Sequence, residues 1–191
     1  MICEIYDDVF DPEYLYQLYD VFESNINWKA NNIANRYTYP YGKTGSHKLF
    51  GKSIFLRSGL NNIEYCDNEN FKNFYDLYTY VCETKKVDHN SFLLKRVHVN
   101  LQHSGCDGTL HIDGGLKDIS IMVFPNPVWE KDWGGKFQIF SENGEDLLEE
   151  HDYVPGRIIV FPSHLPHRGL GANIEYPFVY RYSIVFGILR T

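Results

Sequence analysis

The sequence has few cysteines and no long apolar run. Four of its 191 residues are cysteine, scattered without a C-x-x-C pair at Cys3, Cys66, Cys82 and Cys106. This spacing favours reduced thiols over a disulfide framework or a cysteine-based zinc site. No apolar stretch approaches the roughly 20 residues that a membrane-spanning helix requires. We therefore expect no membrane association.

The sequence also has no excess of positive charge and no leader-like segment at residues 1–8. Lys and Arg total 18 against 25 Asp and Glu, which gives a formal net charge of −7. This balance argues against sequence-independent binding to nucleic acid, although it does not exclude a nucleobase held in a small pocket. Residues 1–8 have neither the basic nor the apolar region of a signal peptide. Together with reduced thiols, this predicts a cytoplasmic protein.

Length and composition favour one globular domain over residues 1–191. The chain is 43% hydrophobic and 16% aromatic, which is enough to bury a core. No repeat or low-complexity tract divides it. We predict an N-terminal helical buttress and loop over 1–90, and a β-rich core over 91–191.

The first half of the chain carries the helix signals. Residues 2–10 alternate weakly and predict a short strand. Asp11 and Pro12 are typical of an N-cap and a first helical position, and an apolar stripe continues to about Glu23. A second stripe predicts a helix over 71–82, packed on the outside of a sheet. Residues 25–58 show no sustained period and predict a loop, with its strongest turn signals at 35–43.

The second half predicts short strands separated by glycine-rich turns. The acidic segment 142–152 reads as a solvated loop. Evenly spaced short strands favour a jelly-roll sandwich or barrel, so the fold class is mainly β with flanking α. The predicted strands are 92–101, 109–113, 118–124, 136–140, 157–161 and 177–189.

One triplet and one later histidine have the chemistry of a metal site. In an extended strand, His111 and Asp113 project from the same face. His167 follows the apolar strand at 157–161. Two imidazoles and one carboxylate form the facial triad of non-haem Fe(II) oxygenases. The same donors suit Zn(II), Mn(II) and Ni(II), so residue type alone does not select the metal.

The order of these motifs resembles the 2-oxoglutarate/Fe(II)-dependent dioxygenases, and within them the prolyl 4-hydroxylase-like branch. The resemblance covers about half of the chain, residues 93–189. It implies a double-stranded β-helix buttressed by N-terminal helices, with Fe(II), 2-oxoglutarate and O2 as cofactor and co-substrates. It also implies that the iron ligands are His111, Asp113 and His167. The matching segments are His111-x-Asp113, Trp133-Gly134-Gly135-Lys136-Phe137, Pro155-Gly156-Arg157, Phe161-Pro162, His167 and Arg181-Tyr182-Ser183.

The resemblance also assigns a co-substrate anchor. An arginine or lysine at the position of Arg181 binds the distal carboxylate of 2-oxoglutarate in this family. Ser183 lies two residues further along the same strand face and can donate a hydroxyl. The alternative is an arginine on the outer face of a sheet.

One departure concerns the tyrosine that prolyl hydroxylase-like enzymes often use on the same carboxylate. Alignment of the motifs puts Phe124 at that position, and a phenyl ring cannot donate a hydrogen bond. Replacement donors are Asn100, Gln102 and His98 on the neighbouring strand, or Ser183. We expect Asn100 and Ser183 to serve with Arg181.

Other histidines and two tryptophans leave alternatives open. His164 competes with His167, but the resemblance favours the histidine nearer the arginine strand. His98 and His103 read as core or surface residues. Trp129 and Trp133 either line a substrate cleft or cap the barrel, and the 25–58 loop either covers the site or is ordinary surface.

The predicted activity is hydroxylation of a prolyl residue in a protein or peptide. The first alternative is the same chemistry on a small molecule, either a free amino acid or a nucleobase. The second is a cupin-like metal- or ligand-binding module without redox turnover, in which Arg181 would be dispensable. A structural jelly roll without metal is the third. The sequence specifies no oligomeric state.

Overall fold

The computed structural model describes residues 2–32, 49–59, 62–84 and 92–190. Two antiparallel sheets enclose an inner core, and two helices cover the outer face of the larger sheet. In chain order the elements are β1 (Glu4–Tyr6), α1 (Pro12–Ser24), β2 (Lys29–Asn32), β3 (Leu49–Ser58), β4 (Asn62–Tyr65), α2 (Asn68–Thr84), β5 (Phe92–Gln102), β6 (Asp118–Val123), β7 (Phe137–Phe140), β8 (Leu147–His151), β9 (Ile158–Pro162), β10 (His167–Gly169) and β11 (Arg181–Arg190).

Strand order follows the jelly-roll pattern. In the described part of the chain, the larger sheet runs β1-β9-β6-β11-β5-β3-β2, with β4 beside β3, and the smaller runs β10-β7-β8. All of these pairings are antiparallel. The predicted class, mainly β with flanking α around a double-stranded β-helix, is confirmed.

Both helices form where their apolar stripes are. Asp11 has the extended backbone of an N-cap and Pro12 opens α1, although the Asp11 side chain makes no capping hydrogen bond. Phe22 from α1 packs edge-on against Phe74 from α2, with ring centroids 5.8 Å apart. Phe22 also contacts Tyr182 on the outer face of β11 at 5.1 Å. The helices therefore buttress the larger sheet, as the sequence predicted.

The two faces of β11 have different surroundings. Its outward side chains belong to the core beneath the helices, and they are Tyr182, Ile184 and Phe186. Its inward side chains line a cavity between the sheets, and they are Arg181, Ser183 and Val185. Strand alternation alone accounts for this division, and the predicted shared face of Arg181 and Ser183 is confirmed.

The predicted loop over 25–58 is wrong in two places. Lys29–Asn32 and Leu49–Ser58 are strands of the larger sheet. The register of β3 against β5 shifts between Ser53 and Phe55. Such a bulge breaks the two-residue period on which strand prediction depends, which explains the error. Residues 35–43 lie outside the described residues.

Three further expectations need correction. The predicted strand at 109–113 is a single bridge between His111 and His167. The predicted solvated loop at 142–152 contains β8, an edge strand whose Leu147 and Leu148 are exposed, so that it shows no alternation. The last strand starts at Arg181 instead of 177.

At the N-terminus, the predicted strand over 2–10 is limited to β1. Within the ranges that the structure covers, no helix combines the length and the apolar character needed to cross a membrane.

Candidate metal centre

Three side chains of the types that ligate metals converge at the inner edge of the cavity. The donor atoms of His111, Asp113 and His167 all lie within 4.8 Å of one another. Each imidazole Nε2 is 3.5 Å from an oxygen of Asp113. Donors bound about 2.1 Å from one ion would be roughly 3 Å apart, so a small contraction brings these atoms to coordination distance.

Backbone hydrogen bonds between distant segments assemble the cluster. The amide of His111 donates to the His167 carbonyl at 3.1 Å, and the reverse bond is 2.8 Å. The amide of Asp113 donates to the Ser163 carbonyl at 2.8 Å. A single bridge therefore brings two residues that are 56 positions apart in the chain side by side.

Each histidine is oriented by its second ring nitrogen. Nδ1 of His111 lies 2.8 Å from the Thr109 carbonyl, and Nδ1 of His167 lies 2.9 Å from the Leu165 carbonyl. A carbonyl only accepts hydrogen bonds, so each Nδ1 carries the proton. In the neutral imidazole, Nε2 then presents its lone pair to the cluster, which is the usual arrangement of a metal-binding histidine.

Asp113 is held at both oxygens. Nη2 of Arg96 lies 2.7 Å from Oδ1, and the Ser120 hydroxyl donates to Oδ2 at 3.0 Å. Burial raises the pKa of Asp113, but Arg96 and His167 outweigh burial and hold the pKa well below its usual value. Burial and the neighbouring His111 lower the pKa of His167. The carboxylate is therefore ionised and the imidazole neutral, the forms that bind metals.

A cavity of about 390 Å³ adjoins the cluster. Its polar wall is formed by β5 and β11, where Arg181 pairs with Gln102 and Ser183 with Asn100. At one end Arg181 is 1% exposed. At the other end the Arg96 side chain is 30% exposed. Gln102 lies six positions after Arg96 on β5, a span of about 20 Å.

Arg181 is a buried cation with an unused donor. Its Nε donates to the Gly135 carbonyl at 2.9 Å, and its Nη1 donates to Oε1 of Gln102 at 2.8 Å. Within the part of the chain that the structure describes, its Nη2 is buried without a hydrogen-bond partner. Burial lowers the pKa of Arg181 to about 10, so it stays charged at neutral pH. A buried guanidinium of this kind is complementary to a carboxylate.

Two aromatic rings, stacked on each other, lie beside this guanidinium. Its carbon lies 5.0 Å from the Phe124 ring centroid and 5.2 Å from that of Tyr153. The two rings stack with centroids 4.3 Å apart. The Tyr153 hydroxyl donates to the Tyr182 carbonyl at 2.9 Å. Phe124 therefore supports the arginine by its ring face. The sequence carries no signal for Tyr153, because this residue precedes a turn and belongs to no periodic pattern.

The expected auxiliary donors lie on the cavity wall. Asn100 and Ser183 both line it, and the Asn100 amide lies 3.5 Å from the Ser183 hydroxyl. Gln102 is not a free donor, because its amide nitrogen donates to the carbonyls of Cys106 at 3.0 Å and Gly169 at 2.9 Å. Its role is to orient Arg181.

The other histidines considered above, His98, His103 and His164, lie in different environments. His98 lines the cavity, so the expectation of a core or surface residue is wrong for it. Burial and the charge of Arg96 lower the pKa of His98 to about 4. His103 is exposed, as expected. His164 is not part of the three-residue cluster.

The two tryptophans cap the barrel and do not line the cavity. Trp129 donates to the Gly134 carbonyl at 3.0 Å, and its ring lies 4.2 Å from that of Tyr153. Gly135 has a positive φ of 77°, and a Cβ there would lie 2.6 Å from the Trp129 ring. Only glycine satisfies both conditions.

Comparison by sequence finds no matching family model and no matching curated protein. Comparison by structure finds relatives over essentially the whole chain. An oxidoreductase of the 2OG-Fe(II) oxygenase family from Burkholderia pseudomallei matches with a TM-score of 0.71 and 12% identity, covering 100% of this chain and 86% of its own.

Two further structures share the fold. A prolyl-4-hydroxylase from Pseudomonas putida matches with a TM-score of 0.54 and 19% identity, covering 99% of this chain and 92% of its own. HygX from Streptomyces hygroscopicus, solved with nickel and 2-oxoglutarate bound, matches with a TM-score of 0.62 and 9% identity, covering 100% and 83%. The fold is therefore that of the 2-oxoglutarate/Fe(II) oxygenases, which confirms the fold that the sequence resemblance implied.

Proposed function

We propose that this protein is a 2-oxoglutarate- and Fe(II)-dependent hydroxylase that acts as a single domain over residues 1–191. The observation that carries the proposal is the buried Nη2 of Arg181, to which no described residue supplies a hydrogen-bond partner, in a cavity that also contains the His111, Asp113 and His167 cluster. A buried cation without a counterion destabilises a protein unless an anion binds beside it.

The donor set fits Fe(II). Two neutral imidazoles and one ionised carboxylate leave positions on an octahedral ion for other ligands. Their outer hydrogen bonds to Thr109, Leu165 and Ser120 fix the ligand orientation before the ion binds. We infer that His111, Asp113 and His167 hold the metal.

The cavity wall fits 2-oxoglutarate. We assign its distal carboxylate to Nη2 of Arg181, with the Ser183 hydroxyl and the Asn100 amide as further donors. Gln102 and Gly135 fix the guanidinium through its other nitrogens, which leaves Nη2 for the ligand. The preorganised donor lowers the entropic cost of binding.

Bound Fe(II) and 2-oxoglutarate supply the oxidation of a C–H bond by O2, with succinate and CO2 as co-products. The chain positions these groups and excludes water from their surroundings. Asp113 stays ionised because Arg96 faces it, and His167 stays neutral because it is buried. No proton transfer by the chain is required of these ligands.

The buried arginine argues against a cupin-like module that binds a metal and no other ligand. A module that binds only a metal would have no use for an unpartnered buried guanidinium. We therefore place the cupin-like module and the purely structural jelly roll behind the oxygenase, and the ligand experiment below separates them.

For the substrate, we propose a prolyl residue in a protein or peptide, supported by the shared fold with the Pseudomonas putida prolyl-4-hydroxylase. A second candidate is a small acidic molecule such as a free amino acid. Arg96 favours it, because this partly exposed cation lies at the opposite end of the cavity from Arg181.

We also propose a cytoplasmic location, in keeping with four free thiols.

The decisive experiment is an anaerobic titration of metal-free protein with Fe(II) and then 2-oxoglutarate, monitored by the visible charge-transfer absorption of the chelate. We expect the wild type to show the band and His167→Ala to lose it. Arg181→Ala should weaken 2-oxoglutarate binding about 10- to 100-fold, the loss expected for charge-assisted hydrogen bonds. Arg157→Ala, which removes an arginine paired with Asp7 outside the cavity, is the matched control.

A folded wild type that binds Fe(II) but shows no band, and no calorimetric signal with 2-oxoglutarate, would refute the oxygenase and favour the cupin-like module. Failure to bind any metal would favour the structural jelly roll. A band of equal strength in Arg181→Ala would remove Arg181 from the co-substrate site.

The substrate is tested by succinate release at saturating 2-oxoglutarate. Prolyl peptides should stimulate release if the first candidate is correct, whereas L-proline should do so and L-prolinamide should not if the second is correct. In the second case Arg96→Lys, which keeps a positive charge beside Asp113, should raise the KM for the acid with little change in the 2-oxoglutarate KM. Stimulation by the amide equal to that by the acid would exclude a role for Arg96 in carboxylate binding.

A further inference from the structure

A second group of metal-ligating side chains lies away from the cavity. The donor atoms of Cys3, Glu149 and His151 are all within 4.8 Å of one another. Cys3 is 2% exposed, and the side chains of Glu149 and His151 are each 17% exposed. None of the three lines the 390 Å³ cavity, and the proposed oxygenase chemistry uses none of them.

Strand geometry places these donors together. Glu149 and His151 alternate on β8, so they project from one face. Cys3 directly precedes β1. In the described part of the chain, β1 is an edge strand of the larger sheet and β8 is an edge strand of the smaller one. The three side chains therefore meet where the edges of the two sheets approach.

Hydrogen bonds fix the carboxylate in advance. The amide of Ile2 donates to Oε1 of Glu149 at 2.5 Å, and the amide of Cys3 donates to Oε2 at 3.1 Å. Nε2 of His151 lies 3.2 Å from the same Oε2. The Cys3 thiol also donates a hydrogen bond to Glu149. A carboxylate has about four acceptor positions, so a metal ion would take the position that the thiol proton occupies. The 3.2 Å separation is also close to that of two donors on one ion.

The charge of the group calls for a cation. Within the described residues, neither a lysine nor an arginine forms an ion pair with Glu149. Burial raises the pKa of Glu149, yet the two backbone amides outweigh it and lower the pKa, so the carboxylate is ionised. Burial also raises the pKa of the Cys3 thiol. A divalent ion would displace that thiol proton, as in other thiolate sites.

We propose that Cys3, Glu149 and His151 form a zinc site that ties the edges of the two sheets together. Thiolate, imidazole and carboxylate are the three ligand types of protein-bound zinc, and three protein ligands leave a fourth position for water. This site is independent of the His111, Asp113 and His167 cluster and does not rest on the proposed oxygenase activity.

The test uses Co(II) as a spectroscopic probe for zinc in the His167→Ala protein, in which the first cluster is disabled. We expect one equivalent of Co(II) to bind, with the near-ultraviolet charge-transfer absorption of a cobalt–thiolate bond and visible bands of a tetrahedral ion. Zn(II) should displace it and raise the midpoint of thermal unfolding. Binding should strengthen as the pH rises, because the thiol must lose its proton.

Control variants identify the thiol. Cys3→Ser in the same background should abolish the charge-transfer absorption, and Cys66→Ser, which removes a half-buried thiol outside the group, should keep it. His151→Ala provides a second test that leaves the thiol in place, and it should weaken Co(II) binding at least tenfold.

Two results would overturn the proposal. One is that folded His167→Ala protein binds neither Co(II) nor Zn(II) at micromolar concentration, which would leave a hydrogen-bonded clamp without metal. The other is that the cobalt–thiolate absorption persists in Cys3→Ser. Metal analysis gives a further check, because metal-loaded wild type should contain one equivalent more than Cys3→Ser, and equal metal contents in the two proteins contradict the second site.

Discussion

At the scale of single residues, the position of the Arg181 guanidinium in the cavity depends on Gly169 as well as on its own hydrogen bonds. A Cβ at Gly169 would lie 3.1 Å from the guanidinium carbon and from both of its terminal nitrogens. That distance is shorter than an ordinary contact, so a methyl group there would displace the arginine from the geometry that Gln102 and Gly135 impose.

We therefore predict that Gly169→Ala weakens 2-oxoglutarate binding roughly 3- to 10-fold while Fe(II) binding is unchanged, since a 1 kcal/mol strain is about a fivefold change in affinity. Calorimetric titration under anaerobic conditions measures both. Gly187→Ala is the control, because its Cβ would meet Arg96 at an ordinary 3.5 Å. Equal affinities in the two variants would show that the close approach has no effect on the ligand.

His98 makes stability depend on pH. Its pKa is about 4 in the folded chain against 6.5 for the ordinary value, because it is buried beside Arg96. The unfolded state then binds a proton more readily, so stability falls as the pH drops from about 6.5 towards 4. We expect a loss of about 2 kcal/mol between pH 7 and pH 5 from this group.

Urea denaturation of wild type and His98→Asn at both pH values measures this contribution. The variant should lose less stability than the wild type over the same interval. Identical pH dependence in the two proteins would show that His98 is not the titrating group.

At the scale of elements, the helices stabilise the sheet that carries the site. Phe22 on α1 is fully buried and contacts Trp28, Phe74 and Tyr182. Tyr182 is the neighbour of Arg181 on β11, but it points to the opposite face. Packing on the outer face therefore fixes the strand whose inner face carries the proposed co-substrate anchor, Arg181.

We predict that Phe22→Ala lowers the free energy of unfolding by about 3 to 5 kcal/mol, the usual cost of removing a buried aromatic ring. Urea denaturation measures it. Tyr16→Ala, a change at a 53% exposed position on the same helix, should cost less than about 1 kcal/mol. Comparable losses in the two variants would contradict the buttress role of the buried stripe.

At the scale of the whole molecule, ligands should stabilise the chain by linkage. Fe(II) with 2-oxoglutarate at about 100 times their dissociation constants adds about 2.7 kcal/mol per site if only the folded state binds. For a chain of this size, each occupied site corresponds to a rise of about 5 to 10 °C in Tm, so the two ligands together correspond to about 10 to 20 °C. Anaerobic thermal unfolding should show, in Fe(II)-loaded wild type, a further rise when 2-oxoglutarate is added, and this further rise should be absent in His167→Ala. A rise of equal size in the variant would place the binding elsewhere.

The negative net charge also affects which molecules the protein can bind. Because the net charge is −7, we expect no measurable binding to random duplex DNA at physiological salt. A fluorescence anisotropy titration tests this, and micromolar binding that weakens steeply with salt would reveal a basic surface that the sequence total conceals.

The sequence alone determined the periodic elements and the motif order. Apolar stripes of helical period identified α1 and α2, and strict alternation placed Arg181 and Ser183 on one face of β11 with Tyr182 on the other. Motif order identified the fold, and it predicted His111, Asp113 and His167 as metal ligands and Arg181 as the carboxylate anchor. These signals are local, since each depends only on residues a few positions apart.

Tertiary structure decided everything that depends on distant partners. The bulge in β3 and the exposed edge strand β8 removed the alternation that strand prediction needs. Tyr153 beneath Arg181, the pairing of Arg96 with Asp113, and the meeting of Cys3 with Glu149 and His151 join residues far apart in the chain. No local pattern encodes such contacts, because they arise only when the sheets fold together and bury polar groups that then need partners.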